Sequence, residues 1–308
     1  MPKDSNNTEV LDFPASWIKP DMPGFGTFPW PHVSESENYE AVARGMLETI
    51  EQALSIGYRH IDTAYSYRNQ DQVGLAVRNA GISRDSVFVT SKLDQRDNEY
   101  DIARLKISQA IDLIWGESSA NDRYLDAFLL HYPGKGNPAQ AWKALQEAKD
   151  AGIIKHIGVS NFDVWHLEKL RKVSGQLPEI NQIELHPWIY QEQSELIGYC
   201  KENDVVLEGY SPLAQGKALS DPILLQMASD HDATPARIVL KWCMQHGIRP
   251  IIGSRNIDHL RKNSEAYMFE LDSDEMQTLN GLGDKHVIRV SEQWHWNPKQ
   301  ATFGGESR

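Results

Sequence analysis

Residues 57–69, GYRHIDTAYSYRN, give the strongest indication of the fold of this chain. The first half of the stretch has the β-forming residues and the alternation of a strand, which stops at Asp62 and Thr63. A polar loop that carries tyrosines follows, and a helical pattern begins after it. A carboxylate at a strand end, followed five residues later by the Tyr67 phenol, indicates a site at the mouth of a barrel rather than core packing.

Two later strands end on residues that fit the same site. Residues 87–92 (VFVTSK) end on Lys92, and residues 127–131 (AFLLH) end on His131. The carboxyl ends of parallel barrel strands meet at one face, which is the functional face of that fold. Taken singly, these residues are more often packing tyrosines, internal ion pairs or satisfied core histidines. Because they share a location, we predict that they form one proton-donating group: Asp62, Tyr67, Lys92 and His131.

Helix and strand patterns alternate along most of the chain. Apolar residues recur at helical spacing from Val42 to Ala53 and stop at Gly57, and Thr234 with Pro235 opens another helix. Eight strand candidates, from residues 23–28 to residues 250–254, are nearly all separated by such helices. This alternation predicts a single (β/α)8 barrel domain over residues 1–308 rather than a doubly wound sheet. The absence of a G-x-G-x-x-G motif at the first helix also argues against a dinucleotide-binding sheet.

The composition is that of an ordinary globular protein. Of the 308 residues, 40% are hydrophobic and 24% are charged. The net charge of −12 leaves no basic surplus to displace phosphate counterions, so we expect no nucleic-acid partner. Two widely spaced cysteines, Cys200 and Cys243, predict a reducing compartment and no disulfide framework. Since neither a signal-peptide core nor an apolar run of membrane length is present, we expect a cytoplasmic protein with no membrane partner.

Several further motifs follow the opening stretch in a fixed order. GVSNF stands at residues 158–162, NQIELHP at residues 181–187 and YSPL at residues 210–213. Together with GYRHIDTA and the Y-x-N triplet that begins at Tyr67, they resemble the aldo-keto reductase superfamily over roughly residues 20 to 265. The resemblance implies a (β/α)8 barrel that reduces carbonyl groups with a nicotinamide cofactor. It also assigns catalysis to the four residues already identified from the strand ends.

The four residues divide the work of carbonyl reduction. A carbonyl accepts hydride readily only if its oxygen is hydrogen-bonded or protonated as negative charge develops. Tyr67 is the predicted proton donor, and Lys92 beside it is expected to lower the pKa of the phenol. Asp62 would hold the Lys92 ammonium, and His131 would orient the substrate carbonyl. We predict no metal site, because no cluster of His, Cys and Asp has ligand spacing.

The resemblance also implies a set of cofactor contacts. Ser160, Asn161 and Gln182 match the family's hydrogen bonds to the nicotinamide carboxamide, and Tyr210 matches the ring that stacks on the nicotinamide. Taken alone, each of these residues is more often a strand-end cap or a turn former. The other matched positions would follow the pyrophosphate through backbone amides or lie along the rest of the cofactor: Thr27, Ser211, Leu213, Gly216, Ser254, Arg255 and Asn263.

The adenosine end departs from the family pattern. The family commonly has P-x-P-K-S and then an arginine, whereas residues 250–255 read PIIGSR and His259 stands at the arginine position. Gly253 and His259 therefore replace the lysine and arginine that would clamp a 2′-phosphate. Arg255 could compensate or stack on the adenine, so NADPH and NADH both stay open as the cofactor. Gln70 is a further departure, at a position where the family has a glutamate outside the proton relay.

Aromatic residues are predicted to line the substrate pocket. By position these are Phe28, Trp30 and Tyr132, the last at a family tryptophan, together with Trp294 and Trp296. Residues 285–308 are expected to fold over the pocket, and residues 1–18 to form a flexible tail. Aromatic walls favour a hydrophobic or cyclic small-molecule carbonyl. For Trp294 and Trp296 the alternative is simple packing of the tail.

Other functions compete with carbonyl reduction. A cofactor-binding regulatory subunit of the same fold would bind the nucleotide with little turnover, but the intact catalytic group favours an enzyme. Alkene reduction on this scaffold normally needs a changed residue at the position of His131, which is intact here. A metal-dependent barrel hydrolase is disfavoured because the sequence has no ligand cluster. The sequence gives no indication of the oligomeric state.

Overall fold

Eight parallel strands close into a barrel in the part of the chain that the structure describes. The computed structural model describes residues 22–28, 39–116, 118–134, 136–284, 286–291 and 302–306, with 39 and 40 as backbone only. The strands pair in chain order, and β8 pairs back to β1. The predicted (β/α)8 barrel is therefore confirmed. The strands are β1 (Gly24–Gly26), β2 (His60–Asp62), β3 (Phe88–Leu93), β4 (Leu125–Leu130), β5 (Ile154–Ser160), β6 (Ile180–Glu184), β7 (Val206–Tyr210) and β8 (Arg249–Ile252).

Ten α-helices surround the barrel in the described residues. Gly57 ends the first of them with a φ of 119°, a backbone conformation that favours glycine. Thr234 caps α8 as predicted, since its Oγ1 accepts a hydrogen bond from Arg237 N at 3.2 Å. The helices are α1 (Tyr39–Ile56), α2 (Gln70–Asn79), α3 (Tyr100–Trp115), α4 (Pro138–Asp150), α5 (Val164–Ser174), α6 (Tyr190–Glu202), α7 (Pro222–Asp230), α8 (Pro235–Gln245), α9 (Ile257–Ser264) and α10 (Ser273–Asn280).

Strand alternation separates the outer core from the barrel interior. Alternate side chains, such as Val89, Phe128 and Leu207, belong to the large apolar core that includes helix residues. The other set points inward and begins with a small separate apolar cluster of Phe88, Ala127, Leu129 and Ile180. Two residues further along β3, β6 and β7 the inward positions become polar, and these lead to the carboxyl ends of the strands.

The C-terminal residues that the structure describes attach to the barrel. The backbone N–H of Ser291 donates to Glu184 Oε2 at 2.8 Å, and that of Val290 donates to Glu184 Oε1 at 2.5 Å. Further on, the Phe303 ring meets Phe162 edge to face, with 6.4 Å between ring centres. That residues 285–308 cover the substrate pocket stays a prediction, and the predicted tail of residues 1–18 lies outside the described residues. Within the described residues, no helix has the length and apolarity needed to cross a membrane.

Candidate active site

The four residues predicted from the strand ends lie together. Asp62 ends β2, Lys92 lies in β3, His131 follows β4 directly and Tyr67 ends a short 3-10 turn. Lys92 Nζ donates to Asp62 Oδ1 at 2.6 Å and to Thr63 O at 3.1 Å. The same ammonium lies 5.1 Å from the centre of the Tyr67 ring, and the Tyr67 and His131 ring centres are 5.7 Å apart. The geometry thus brings a phenol, an imidazole and a buried ion pair to one point.

The pKa of Tyr67 is raised, whereas a lowered pKa was predicted from the neighbouring Lys92. Burial raises the pKa of the phenol well above 10, and the negative charge of Asp62 adds to the effect. Lys92 is fully buried and its charge is balanced by Asp62 at 2.6 Å, so its attraction for the phenolate does not outweigh the loss of hydration at Tyr67. The phenol is therefore protonated at neutral pH.

His131 is a neutral imidazole at neutral pH. Burial lowers the pKa of its ring to about 3, and the positive charge of Lys92 adds to the effect while Asp94 opposes it. The neutral ring carries one N–H donor and one acceptor nitrogen. It stacks on Tyr132 with 4.7 Å between ring centres. Such a ring can donate a hydrogen bond without adding a charge to the site.

The three residues assigned to the nicotinamide carboxamide lie side by side. Ser160 ends β5 and pairs in register with Gln182 of β6. Ser160 Oγ donates to Gln182 O at 2.7 Å, and Asn161 Nδ2 donates to His131 O at 3.0 Å and to Ser160 Oγ at 3.1 Å. Asn161 adopts a φ of 64°, and its Oδ1 accepts from Tyr210 OH at 2.8 Å. Short polar side chains on adjacent strand ends make a donor and acceptor set that suits an amide ligand.

The loop after β7 has an unusual backbone. Left-handed conformations occur at Ser211, Ala214, Gln215 and Gly216, with φ between 47° and 77°. Successive backbone amides in such turns can converge on an anion. Leu213 is half-buried within the same loop. The predicted pyrophosphate positions therefore lie on a backbone that fits the task.

At the adenosine end, backbone packing accounts for the glycine. A Cβ added at Gly253 would lie 2.8 Å from the carbonyl oxygen of Gly26, which is closer than real contacts allow. The lysine of the family pattern therefore does not fit this backbone without a shift. β1 and the end of β8 approach each other here because they close the barrel.

The remaining adenosine positions surround the start of α9. Ser254 Oγ accepts from Asn256 N at 3.1 Å, and Asn256 caps the helix through Asp258 N at 2.9 Å. Arg255 and His259 are exposed, whereas Asn263 is buried. Arg255 and His259 are therefore accessible to a phosphate.

A hydrogen-bond network joins the ends of β1 and β2. It includes Asn69, a residue that sequence reasoning did not assign to the site. Asn69 Nδ2 donates to Thr27 O at 2.7 Å, and its Oδ1 accepts from Thr63 Oγ1 at 2.7 Å. Thr27 Oγ1 also donates to Asp62 O at 3.0 Å. Thr27, predicted as a cofactor residue, is buried in this hydrogen-bond network. The adjacent Gln70 donates to Ser91 Oγ at 2.7 Å.

Two of the predicted substrate residues flank the catalytic group. The Phe28 ring meets Tyr67 edge to face at 5.0 Å between ring centres, and Tyr132 stacks on His131. Phe28 is 36% exposed, so part of its ring is open to solvent beside Tyr67. The other three, Trp30, Trp294 and Trp296, lie outside the described residues.

Sequence reasoning missed two charged residues beneath the site, Glu208 and Arg249. Both are buried, at 1% and 4% exposure. Glu208 Oε2 accepts from Gln182 Nε2 at 2.9 Å, and Arg249 Nη1 lies 3.4 Å from His60 Nδ1. The available signal was a charged residue within an apolar strand, since Glu208 stands two positions before Tyr210 and so shares its inward face.

A cavity of about 400 Å³ flanks the site. It is lined by residues of β6, α5 and α6 and by Arg289, and it shares Asn161 and Tyr210 with the candidate site. Tyr67, Lys92 and His131 do not line it. The cavity is therefore a neighbour of the catalytic group and does not contain it. In the described part of the chain, no group of three or more His, Cys, Asp or Glu is placed to hold a metal ion.

Barrel topology and strand-end chemistry define an enzyme-like (β/α)8 protein, and comparisons with known proteins place it in a family. The model of the Aldo/keto reductase family matches residues 24–284. Among curated relatives, a glyoxal reductase of Bacillus subtilis is 36% identical over 235 residues, covering 76% of this chain and 82% of the relative. A 9,11-endoperoxide prostaglandin H2 reductase of Trypanosoma cruzi is 35% identical over 239 residues, covering 77% and 82%.

Solved structures agree with that assignment. An aldo/keto reductase from Brucella melitensis superposes with a TM-score of 0.74 at 32% identity, covering 84% of this chain and 93% of that one. A variant of Gox0644 in complex with NADPH gives a TM-score of 0.76 at 30% identity, covering 91% and 94%. The chain therefore belongs to the aldo/keto reductase family, as the motifs indicated, and is an oxidoreductase.

Proposed function

We propose that this chain reduces an aldehyde or ketone to the alcohol, reversibly, with a bound nicotinamide cofactor. The observation that carries the proposal is the meeting of Tyr67, His131 and the Lys92–Asp62 pair at the mouth of the barrel. The carboxamide set of Ser160, Asn161 and Gln182 lies beside them. The cofactor, when bound, would supply the hydride.

The protein side chains would supply the proton and the charge stabilisation. Tyr67 keeps its proton at neutral pH because burial raises its pKa. An alkoxide formed from a carbonyl is a stronger base than a phenolate, so it can take that proton. The Lys92 ammonium, 5.1 Å from the ring centre, would stabilise the phenolate that remains. Neutral His131 would donate a hydrogen bond to the carbonyl oxygen, and Asp62 would hold Lys92 in position.

The cofactor we propose is NADPH or NADH, held at its adenosine end without the usual phosphate clamp. We assign Arg255, exposed before α9, as the cation that meets the 2′-phosphate when NADPH binds. The NADPH complex of the similar Gox0644 variant supports a nicotinamide dinucleotide. Arg255 alone would take the place of the lysine and the arginine that clamp the 2′-phosphate in the family pattern. We therefore expect weaker discrimination between NADPH and NADH than that pattern would give.

The substrate we propose is a small carbonyl compound with a hydrophobic or cyclic portion. Phe28 and Tyr132 place aromatic surface on two sides of Tyr67 and His131. Relatives named for glyoxal and for a prostaglandin endoperoxide differ widely in substrate size. The aromatic walls, rather than those names, support the choice.

A matched pair of tyrosine variants tests the proposal. Tyr67→Phe removes the proton donor and is expected to lower kcat for carbonyl reduction by about 100-fold or more. Tyr65→Phe is the control, because Tyr65 OH accepts from Lys106 Nζ at 2.7 Å outside the catalytic group. Both variants should bind NADPH or NADH like the wild type in a tryptophan-fluorescence titration.

The outcomes separate the competing functions. Wild-type protein that binds neither cofactor would refute the proposal. Binding without turnover on aromatic, aliphatic and dicarbonyl compounds would instead support a cofactor-binding regulatory subunit. A Tyr67→Phe variant with wild-type kcat would remove Tyr67 from the mechanism.

A further inference from the structure

One amide side chain joins two carboxylates beneath the candidate site. Gln182 Nε2 donates to Asp62 Oδ2 at 2.8 Å and to Glu208 Oε2 at 2.9 Å. None of the three residues is more than 2% exposed. A primary amide nitrogen has two hydrogens, so these two hydrogen bonds use both of them.

This arrangement fixes the orientation of the Gln182 side-chain amide. An ionised carboxylate is an acceptor only, so the amide oxygen of Gln182 would be repelled if it took the place of Nε2 between them. Asp62 is already committed through its other oxygen to the Lys92 ammonium at 2.6 Å. The atom of Gln182 that remains for a ligand is therefore the acceptor Oε1, and a ligand that meets it must bring an N–H or O–H donor.

We propose that Glu208 is a positioning residue that locks the Gln182 amide, so that its oxygen receives the N–H donor of the nicotinamide carboxamide. The proposal rests on the proposed function, because it requires a nicotinamide cofactor at this site. Glu208 touches neither cofactor nor substrate and acts through Gln182. Glu208 lies in β7, which ends at Tyr210. The same strand therefore supplies the residue that holds Gln182 and the ring predicted to stack on the nicotinamide.

Charged and titratable groups surround Glu208 on several strands. They are His60, 3.8 Å away, and Asp62 on β2, Lys92 on β3 and Arg249 on β8. Burial raises the pKa of Glu208 to about 7, Arg249 and Lys92 oppose that rise and Asp62 adds to it. A carboxyl group keeps an acceptor oxygen in both protonation states, so the bond to Gln182 survives on either side of pH 7. The hydrogen bond therefore needs the acceptor oxygen of Glu208, and the negative charge adds the exclusion of the amide oxygen.

Two substitutions at Glu208 separate these roles. Glu208→Gln keeps an acceptor oxygen at the same reach, and we expect it to bind the cofactor within about threefold of the wild type. Glu208→Leu removes the acceptor, and we expect the affinity for NADPH and NADH to fall about tenfold, the usual scale for a lost charge-assisted hydrogen bond. Glu179→Gln is the matched control. Glu179 pairs with Lys149 at 2.6 Å and directly precedes β6, so it lies at the amino end of β6, away from the candidate site at the carboxyl ends of the strands.

The decisive ligand lacks the nicotinamide ring. ADP-ribose and its 2′-phosphate share the rest of the cofactor, so their affinity should be equal in the wild type and in Glu208→Leu. In a Gln182→Met background, Glu208→Leu should add little further loss, because the residue through which it acts is gone. Isothermal titration calorimetry of the full chain measures all of these affinities.

Each outcome decides the matter. Equal losses for the cofactor and for ADP-ribose, or no loss for either, would overturn the positioning role. A wild-type protein that binds neither cofactor would mean that the proposed function itself has failed. If Glu208→Leu does not fold, the companion variant Glu208→Leu/Arg249→Met removes both buried charges, and the same selective loss is expected of it.

Discussion

Asp62→Asn tests the centre of the site most severely. Asp62 accepts from Lys92 through Oδ1 at 2.6 Å and from Gln182 through Oδ2 at 2.8 Å. Asparagine keeps one acceptor and turns the other into an NH₂ group, which would face the NH₂ group of Gln182. Two donors cannot share that contact, so Gln182 would have to turn, and its oxygen would then face the carboxylate of Glu208. The substitution therefore disturbs both the ion pair and the carboxamide set.

The magnitude follows from the burial of the pair. Lys92 is 0% exposed and would keep the Thr63 carbonyl oxygen at 3.1 Å as a neutral partner. Removing one member of a buried ion pair costs roughly 3–5 kcal/mol. With an unfolding entropy of about 2.1 cal/mol/K per residue, 308 residues give about 0.65 kcal/mol/K, so Tm should fall by about 5–8 °C. We expect kcat to fall by about 100-fold or more, because Lys92 without its counter-ion is no longer held where its charge stabilises the Tyr67 phenolate.

Thermal unfolding, cofactor titration and steady-state rates together form the assay. Asp126→Asn is the control, since Asp126 accepts from Arg84 Nη2 at 2.7 Å and from Val89 N at 2.9 Å near the start of β4. The control should lose stability while its cofactor affinity and kcat stay at the wild-type level. Wild-type Tm and wild-type cofactor affinity in Asp62→Asn would refute the reasoning, as would an equal loss of affinity in the control.

Three further predictions concern pH, cofactor choice and helix packing. Burial lowers the pKa of His131 to about 3, so the unfolded chain binds the proton first and stability falls as pH drops from 6.5 towards 3, at about 1.4 kcal/mol per pH unit. His131→Gln should remove that contribution. The free energy of unfolding is measured in urea at pH 6 and at pH 4.5, and an equal change between the two pH values in the wild type and in the variant would contradict the prediction. His259→Arg should shift the ratio of NADH to NADPH dissociation constants about tenfold towards NADPH, because a guanidinium pairs with the 2′-phosphate; an unchanged ratio would show that this side chain does not reach the phosphate. A Cβ at Gly74 would lie 1.6 Å from Ile114 O, so Gly74→Ala should destabilise the protein by about 1–3 kcal/mol in chemical denaturation. Gly45→Ala in α1, with nothing within 4 Å of the added atom, should instead stabilise it by about 0.5–1 kcal/mol, and a loss there would contradict the packing argument.

Strand and helix positions were largely predictable from the sequence. Residues 87–92 were predicted as a strand and β3 spans Phe88–Leu93, while the strand predicted at residues 127–131 overlaps β4 (Leu125–Leu130). Local patterns suffice here, because buried parallel strands are short apolar runs bounded by turns. The strand-and-helix alternation did not predict α7, because α7 is an additional helix between β7 and β8. Pro222 at its start is a residue type typical of the first turn of a helix.

Contacts inside the barrel were not predictable in the same way. Gln182 was assigned to the cofactor, but its hydrogen-bond partners lie 120 residues earlier, at Asp62, and 26 residues later, at Glu208. Nothing local in the sequence pairs those positions, because the pairing depends on the register of strands around a closed sheet. The direction of the Tyr67 pKa was missed for a related reason: it depends on how deeply the loop is buried and on which group neutralises Lys92.

The barrel and the residues at the ends of its strands could be predicted from the sequence, because alternation, turn residues and strand-end chemistry are local properties. How those residues interact depends on the tertiary structure: Lys92 forms an ion pair with Asp62, His131 is neutral, and Glu208 lies behind Gln182. Charge, hydration and hydrogen-bond partners depend on distances across the barrel, and those distances exist only once the eight strands have closed.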